Sequence, residues 1–324
     1  MANAPDLFGM ISKLQFHYWF SDKTHTMDAL VHNKCERELL ELTKAVAKLC
    51  GVAIKMETEP SGKGGLKSWL TLAAKSPKRT PLQKIVLVNT IVAASVSTPN
   101  NTSVQGAIDT CLDKLIDEKE LDEAKRTSLQ QDILQLKAAA ANLLSSLDQD
   151  TVIKKRRSNF YDLLRKYLKV KSISVTLTDE AKKPLTEEQR VDREDFKNFI
   201  VQSNAVAPQT VEHAQIEIIS PVLMKGKHKW RGMYNGSAIS FVMKSDDFME
   251  MVQSGKVEFK SGSSIVCTLE IEKKINGVGV ERIIGYNILS VSSYSEGGKT
   301  IETPEAKQKQ KQNTVSKRQL DLFG

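Results

Sequence analysis

Residues 11–59 read ISKLQFHYWF SDKTHTMDAL VHNKCERELL ELTKAVAKLC GVAIKMETE. Ile11 to Phe20 is aromatic and β-branched enough for a strand. From Asp28 to Leu49 the apolar positions Leu30, Val31, Leu39, Leu42, Val46 and Leu49 recur at helical spacing, and Gly51 closes the helix. Val52 to Glu59 returns as a strand, so the chain opens on a β-α-β unit. Pro60 to Gly65 is a Gly-rich turn, and two further helical runs are expected around Leu66 to Ala74 and Leu82 to Val96.

Beyond a polar break at Asn100 to Ser103, Ala107 to Leu147 predicts two helices, the second rich in the good helix formers Ala, Leu, Gln and Lys. Thr151 to Tyr167 predicts a basic amphipathic helix, followed by a strand at Ser172 to Thr178 and a further helix over Glu187 to Gln202. The C-terminal part then changes character. Ala214, Ile216 and Ile218 alternate with polar residues, as do Ile265, Cys267, Leu269 and Ile271, and Ile283 to Val291 makes a third long strand. Between them Ser245 caps a short helix carrying Phe248, Met251 and Val252 and ended by Gly255.

The expected class is therefore α+β. Its parts are an N-terminal α+β domain at 1–100, a helical region with a short strand at 101–205, and a mostly antiparallel β-domain at 210–296 whose strand count and spacing suit a small barrel. The stretch 297–324 is rich in Gly, Lys, Gln and Thr and holds too few apolar residues to fold, so a disordered basic tail is expected there.

With 324 residues, 40% of them hydrophobic and 27% charged, the chain has the composition of a folded protein. Met1 to Gly9 carries neither the basic region nor the apolar run of a secretory signal, and a cytoplasmic location is expected. Cys35, Cys50, Cys111 and Cys267 are scattered without a CxxC pair, which argues for free thiols and against a zinc site or a disulfide framework. Ile85 to Val96 is too short to span a bilayer and contains Asn89, so it predicts a buried helix and no membrane partner. The net charge of +8 favours a polyanionic partner.

The tail ends Gln319-Leu320-Asp321-Leu322-Phe323. Three large apolar side chains gain nothing on a solvated tether and should dock elsewhere. The pattern resembles the pentapeptide by which bacterial polymerases and repair factors bind the ring-shaped sliding clamp. That resemblance implies that Gln319 hydrogen-bonds at one edge of the clamp groove, Leu320 fills a subsidiary pocket, Leu322 and Phe323 enter the deep apolar pocket, and Asp321 faces outward. In style the rest of the chain is similar to proteins of mobile elements and antiphage defence modules.

Two internal groups are candidate sites. Asp28, His32 and Glu36 recur on the first helix, with His25 before it and Glu57 and Glu59 on the next strand; acids and histidines so grouped bind divalent metal in nucleases. A capped, solvated helix face explains the same residues, and no lysine follows the strand acids at nuclease spacing. Lys154, Lys155, Arg156 and Arg157, followed by Phe160 and Tyr161, could contact phosphates and stack on bases. Ser61 to Gly65 lacks the full phosphate-loop pattern and reads as a turn.

The resulting expectation is a non-enzymatic, DNA-associated accessory or sensor protein, with no cofactor or metal, recruited to the clamp by its tail. Its folded domains would engage duplex DNA or another protein of the same system. The alternatives are a metal-dependent nuclease targeted by the same tail, and a structural subunit of a multiprotein defence complex.

Overall fold

Leu14, Phe16 and Tyr18 alternate with Gln15, His17 and Trp19 along β1 (Lys13–Phe20), so one strand presents an apolar face and a polar-aromatic face. In the computed structural model, which describes residues 13–22, 26–59, 66–75, 82–99, 106, 109, 123–178, 181–184, 186–224, 228–296 and 298–307, this strand is the centre of an antiparallel sheet. Its partners are β2 (Ile54–Glu59), β3 (Leu66–Ala74), β4 (Val170–Thr178) and β5 (Gln189–Asp192), in the order β2-β3-β1-β4-β5. The helices are α1 (Ala29–Leu49), α2 (Leu82–Ser97), α3 (Glu123–Gln149) and α4 (Thr151–Lys166). The run β1-α1-β2-β3, then helices, then β4 beside β1 is a split β-α-β arrangement.

The apolar face of this sheet carries the core: Leu14, Phe16, Leu70 and Val175 pack with Leu42 of α1 and Phe160 of α4. Asp28 caps α1 by accepting from the Leu30 and Val31 amides, and Asp150 caps α4 in the same way. The stretch Ile85 to Val96 is buried almost throughout, as its apolar run predicts. Leu66 to Ala74 is a strand, not the expected helix. Inserted between β1 and β2, it satisfies its backbone across both neighbours, and Leu70 and Leu72 alternate toward the core. Residues 187–202 likewise form β5 and a 3-10 helix (Arg193–Phe199) instead of one α-helix. Because β4 pairs with β1, the stretches expected as separate domains at 1–100 and 101–205 share one sheet and one core.

The chain divides into two units, the first of residues 1–203 with 277–280, the second of residues 204–276 with 281–324. The expected 210–296 domain thus begins at Asn204 and extends past 296 to include a strand at Lys299–Glu302, while Gly277 to Val280 belong to the first unit. There the Thr151 hydroxyl donates to the Gly279 carbonyl and the Asn159 amide to that of Gly277.

The second unit is a closed five-stranded barrel. β6 (Gln209–Ser220), β7 (Trp230–Tyr234) and β8 (Ser237–Met243) form an antiparallel meander. Strand β8 lies parallel to β10 (Glu281–Glu296); β10 pairs with β9 (Ser264–Ile275), and β9 closes on β6. A short strand β11 (Lys299–Glu302) extends β10, and α5 (Asp246–Gln253) stands between β8 and β9, capped by Ser245. Trp230, Phe241, Phe248, Ile216, Leu269 and Ile288 fill the interior. At Gly232 the strands approach so closely that a Cβ would stand 2.6 Å from Ile216 Cγ2 and 2.7 Å from the Glu217 carbonyl. The β7–β8 hairpin turns on Asn235 and Gly236, both at positive φ, the Asn-Gly turn that suits strand twist.

Candidate nucleic-acid interface

A five-stranded Greek-key barrel with this strand order is of the OB type, whose ligands, oligonucleotides or oligosaccharides, lie over the second and third strands and adjoining loops. In this barrel those are β7 and β8 and the β6–β7 connection. Trp230 and Gly232 of β7 point inward, leaving Arg231 and Met233 on the outer face. Arg231 lies in register between Ser220 of β6 and Ser240 of β8, and Met233 between Glu217 and Ala238. Arg231, Lys229 and His228 are exposed, and none makes an ion pair among the described residues.

Charge is segregated on this barrel. Residues 204–307 contain equal numbers of basic and acidic side chains, yet no Asp or Glu occurs between Glu217 and Asp246. That acid-free stretch contains Lys225, Lys227, Lys229, Arg231 and Lys244 and runs through the end of β6, the connection, β7 and β8. Lys244 is partly neutralised by Glu270, 3.1 Å away, whose carboxyl is held below its usual range by Asn287 and Lys244.

In the first unit the sheet face turned away from the helices carries a second polar group. His17 and Trp19 have ring centroids 4.0 Å apart, and the Trp19 indole N–H donates to Ser174 Oγ at 2.9 Å. Ser174 in turn donates to Glu188, whose carboxylate lies 3.4 Å from His17 Nδ1. The Arg190 guanidinium and the Lys182 ammonium each stand 4.9 Å from a tryptophan ring centroid, on Trp19 and Trp69 respectively. Lys13 and Lys182 clamp Glu59 at 2.5 and 2.9 Å and keep its carboxyl below the usual range. Burial, with Lys67 next, lowers the His17 pKa against the opposing pull of Glu188.

The predicted acid-histidine cluster is taken apart by the sheet. Asp28 is the α1 cap; His32 Nε2 lies 3.2 Å from Ser68 Oγ and its ring packs edge-on to Tyr18, with Glu36 lining the same small cleft on the helix side. Glu57 and Glu59 pair in register with Thr71 and Trp69, on the opposite face, and bind Lys55, Lys13 and Lys182. Two residues of a strand's alternation send the halves of the cluster to opposite sides of one sheet, and no group of three metal-capable side chains occurs among the described residues. His25 and the Ser61 to Gly65 turn lie outside the described residues.

The basic run on α4 is also redirected. Arg156 is buried, with Nη1 3.1 Å from Glu38 Oε2; Arg157 donates to the Ser95 and Thr98 carbonyls at 3.4 Å and lies over the Phe199 ring. Lys154 and Lys155 are half-buried. Phe160 and Tyr161, expected as stacking partners for bases, are core residues, and burial pushes the Tyr161 phenol well above its usual pKa. The thiols of Cys35 and Cys267 are raised to about 12 and that of Cys50 to about 11 by burial, which leaves them protonated and poor nucleophiles. Gln319, Leu320, Asp321, Leu322 and Phe323 lie outside the described residues, as does Cys111.

Strands β7 and β8 were not expected from the sequence, although Asn235-Gly236 between two apolar alternations signals a hairpin. The two tryptophans on the helix-free face were not singled out either; the alternation Gln15-His17-Trp19 was the available signal.

Fold and charge thus define a two-unit α+β protein whose second unit is an OB-type barrel with no Asp or Glu on β7 or β8. No protein-family model and no curated protein matches the chain. A solved structure of a mutant ferredoxin protease FusC in complex with Arabidopsis ferredoxin aligns with 72% of this chain and 29% of its own, at 10% identity and a TM-score of 0.20. At that score the alignment carries no argument, and the chain spans under a third of that protein's length. No described helix is long and apolar enough to cross a membrane.

Proposed function

We propose that this is a DNA-associated accessory protein of the cytoplasm, which is held at the sliding clamp by Gln319 to Phe323 and engages single-stranded DNA through its barrel. The observation that supports the reading is the acid-free run of sequence from Ile218 to Ser245 with its five cations, of which Lys229 and Arg231 are exposed just before and on β7, one of the strands over which OB-type barrels bind oligonucleotides. A neutral barrel with one cationic side attracts a polyanion locally without binding it everywhere. At the tail, three apolar side chains worth about 1.5–3 kcal/mol each on burial must offset the ordering of the peptide, which places clamp affinity around micromolar. Tethering then multiplies weak barrel–DNA contacts by effective concentration.

The test is binding of a labelled single-stranded oligonucleotide across a salt series. Charge reversal at Lys229 and Arg231 is expected to weaken binding and to flatten the salt dependence, each lost phosphate contact removing about 0.7 from the slope. Equal affinity and slope in wild type and variant would refute the barrel reading. Clamp capture by the full chain, compared with a chain ending before Gln319, tests the tail separately.

A further inference from the structure

The helix-free face of the first sheet presents Trp19 and His17 on β1 and, on β3 opposite Gln15 and so four residues further along, Trp69, and nothing in the proposed barrel contact uses them. We infer that this face is a second, independent nucleic-acid site, on which unpaired bases of single-stranded DNA stack against Trp19 and Trp69, and that Lys182, Glu188 and Arg190 form an exchangeable cover over it. Four features of the structure support the assignment.

First, the central strands bear large aromatic rings on the side that carries no helix, the geometry by which a sheet offers stacking platforms to unstacked bases. Second, both tryptophan rings already hold a cation over one face: Arg190, planar, at 4.9 Å from Trp19, and Lys182 at 4.9 Å from Trp69. A nucleobase takes the same position on an indole, and the displaced cations are then within reach of the backbone phosphates. Third, the cover is held largely by polar contacts. Lys182, Glu188 and Arg190 are exposed, and moving their side chains aside forfeits the Lys182–Glu59 and Arg190–Asp192 pairs and the Ser174–Glu188 hydrogen bond, which water replaces, together with the cations' contact on the tryptophan rings. Lys182 itself sits at φ 68°, a conformation that side-chain-bearing residues adopt at a cost. Fourth, cations are gathered on this side: Lys13, Lys55, Lys182 and Arg190, paired here with Glu59, Glu57 and Asp192, can exchange those carboxylates for phosphate, and Lys67 lies on the same face opposite His17.

Glu188 is the latch. It accepts from Ser174 and faces His17, and it puts a carboxylate over the platform where a phosphate would otherwise approach. Covered, the site leaves Trp69 only 6% and His17 only 8% exposed, so wild-type binding there carries the cost of opening.

The experiment uses the full chain and a labelled oligothymidine of about twelve nucleotides, a length within the footprint of one or two stacking units, against an abasic oligomer of equal length. Trp19→Ala should weaken oligothymidine binding by about 5- to 150-fold, the range for loss of one base–aromatic stack, and Trp19→Phe should restore most of it. Glu188→Gln removes the charge and weakens the latch, leaving Ser174 a neutral acceptor, and should tighten binding several-fold. The abasic strand should bind wild type and Trp19→Ala alike. An oligouridine arm shows whether the site prefers RNA. Circular dichroism confirms folding; should Trp19→Ala unfold, Trp19→Phe and Glu188→Gln still decide the matter. Unchanged or weaker binding by Glu188→Gln, or equal affinity of wild type for the abasic and thymidine strands, would overturn the inference. The Lys229 and Arg231 reversal, which acts on both strands equally, reports on the barrel and leaves this site's result separate.

Discussion

Arg156→Ala separates a structural cation from a DNA-binding one, because the sequence places Arg156 in a basic run and the structure turns it inward. Its Nη1 lies 3.3 and 3.1 Å from the two Glu38 oxygens and its Nη2 3.9 Å from Glu41, with the Arg156 and Glu38 side chains only 9% and 15% exposed. Asn159 Nδ2 adds a hydrogen bond to Glu38 at 3.3 Å. Removing the guanidinium leaves a carboxylate between α1 and α4 with one amide for company. Breaking a buried pair costs about 3–5 kcal/mol; since Asn159 remains and neither group is wholly enclosed, about 3 kcal/mol is expected here. For a unit of this size that lowers the melting temperature by about 6–12 °C. The assay is urea unfolding followed by far-UV circular dichroism, with an unchanged m-value showing that only stability moved. Glu38→Leu combined with Arg156→Met should recover most of the loss, since an apolar pair of similar volume avoids the desolvation. Affinity for single-stranded DNA, measured on folded protein, should stay within about twofold. An unchanged midpoint with lost DNA affinity would show that the guanidinium faces a ligand and that the packing argument fails.

Gly232→Val should destabilise the barrel by more than about 2 kcal/mol, because its Cβ meets Ile216 Cγ2 at 2.6 Å and a carbonyl at 2.7 Å, and Trp230 fluorescence should report the loss. Leu322→Ala with Phe323→Ala should abolish clamp capture without shifting the melting temperature, whereas Asp321→Ser should be tolerated; a shifted melting temperature would mean that the tail packs on its own protein. Cys35 and Cys267, with thiols raised to about 12, should resist a thiol reagent at mildly alkaline pH until the protein unfolds, and their replacement by Ser should leave DNA binding intact. His17 has a folded pKa below its unfolded value of 6.5, so the folded state binds fewer protons. Its stabilising contribution is complete above pH 6.5 and is lost as pH falls from there through the lowered value; His17→Gln should flatten unfolding free energy across that window.

Local patterning was enough for the elements whose neighbours merely agree with it. The 3.6-residue recurrence from Leu30 to Leu49, with Asp28 as cap, is a helix in any setting that buries one side, and the alternations Ala214 to Ile218 and Ile265 to Ile271 are strands once a core is near. The α+β class, the buried helix at Ile85 to Val96 and a barrel-like C-terminal unit follow from such patterns. Partners that lie far apart in sequence decided the rest. Leu66 to Ala74 is a strand because β1 and β2 flank it, and β4 joins the first sheet across more than a hundred residues of chain, which local periodicity does not encode. The same holds for the sites. An ion pair between Arg156 and Glu38, the dispersal of His32 and Glu57 to opposite faces, and the meeting of Trp19 with Ser174, Glu188 and Arg190 depend on strand register and helix docking, for register sends each side chain to one face or the other. Composition alone showed a basic chain; only the barrel's connectivity gathered its acid-free stretch onto β7, β8 and the loop before them.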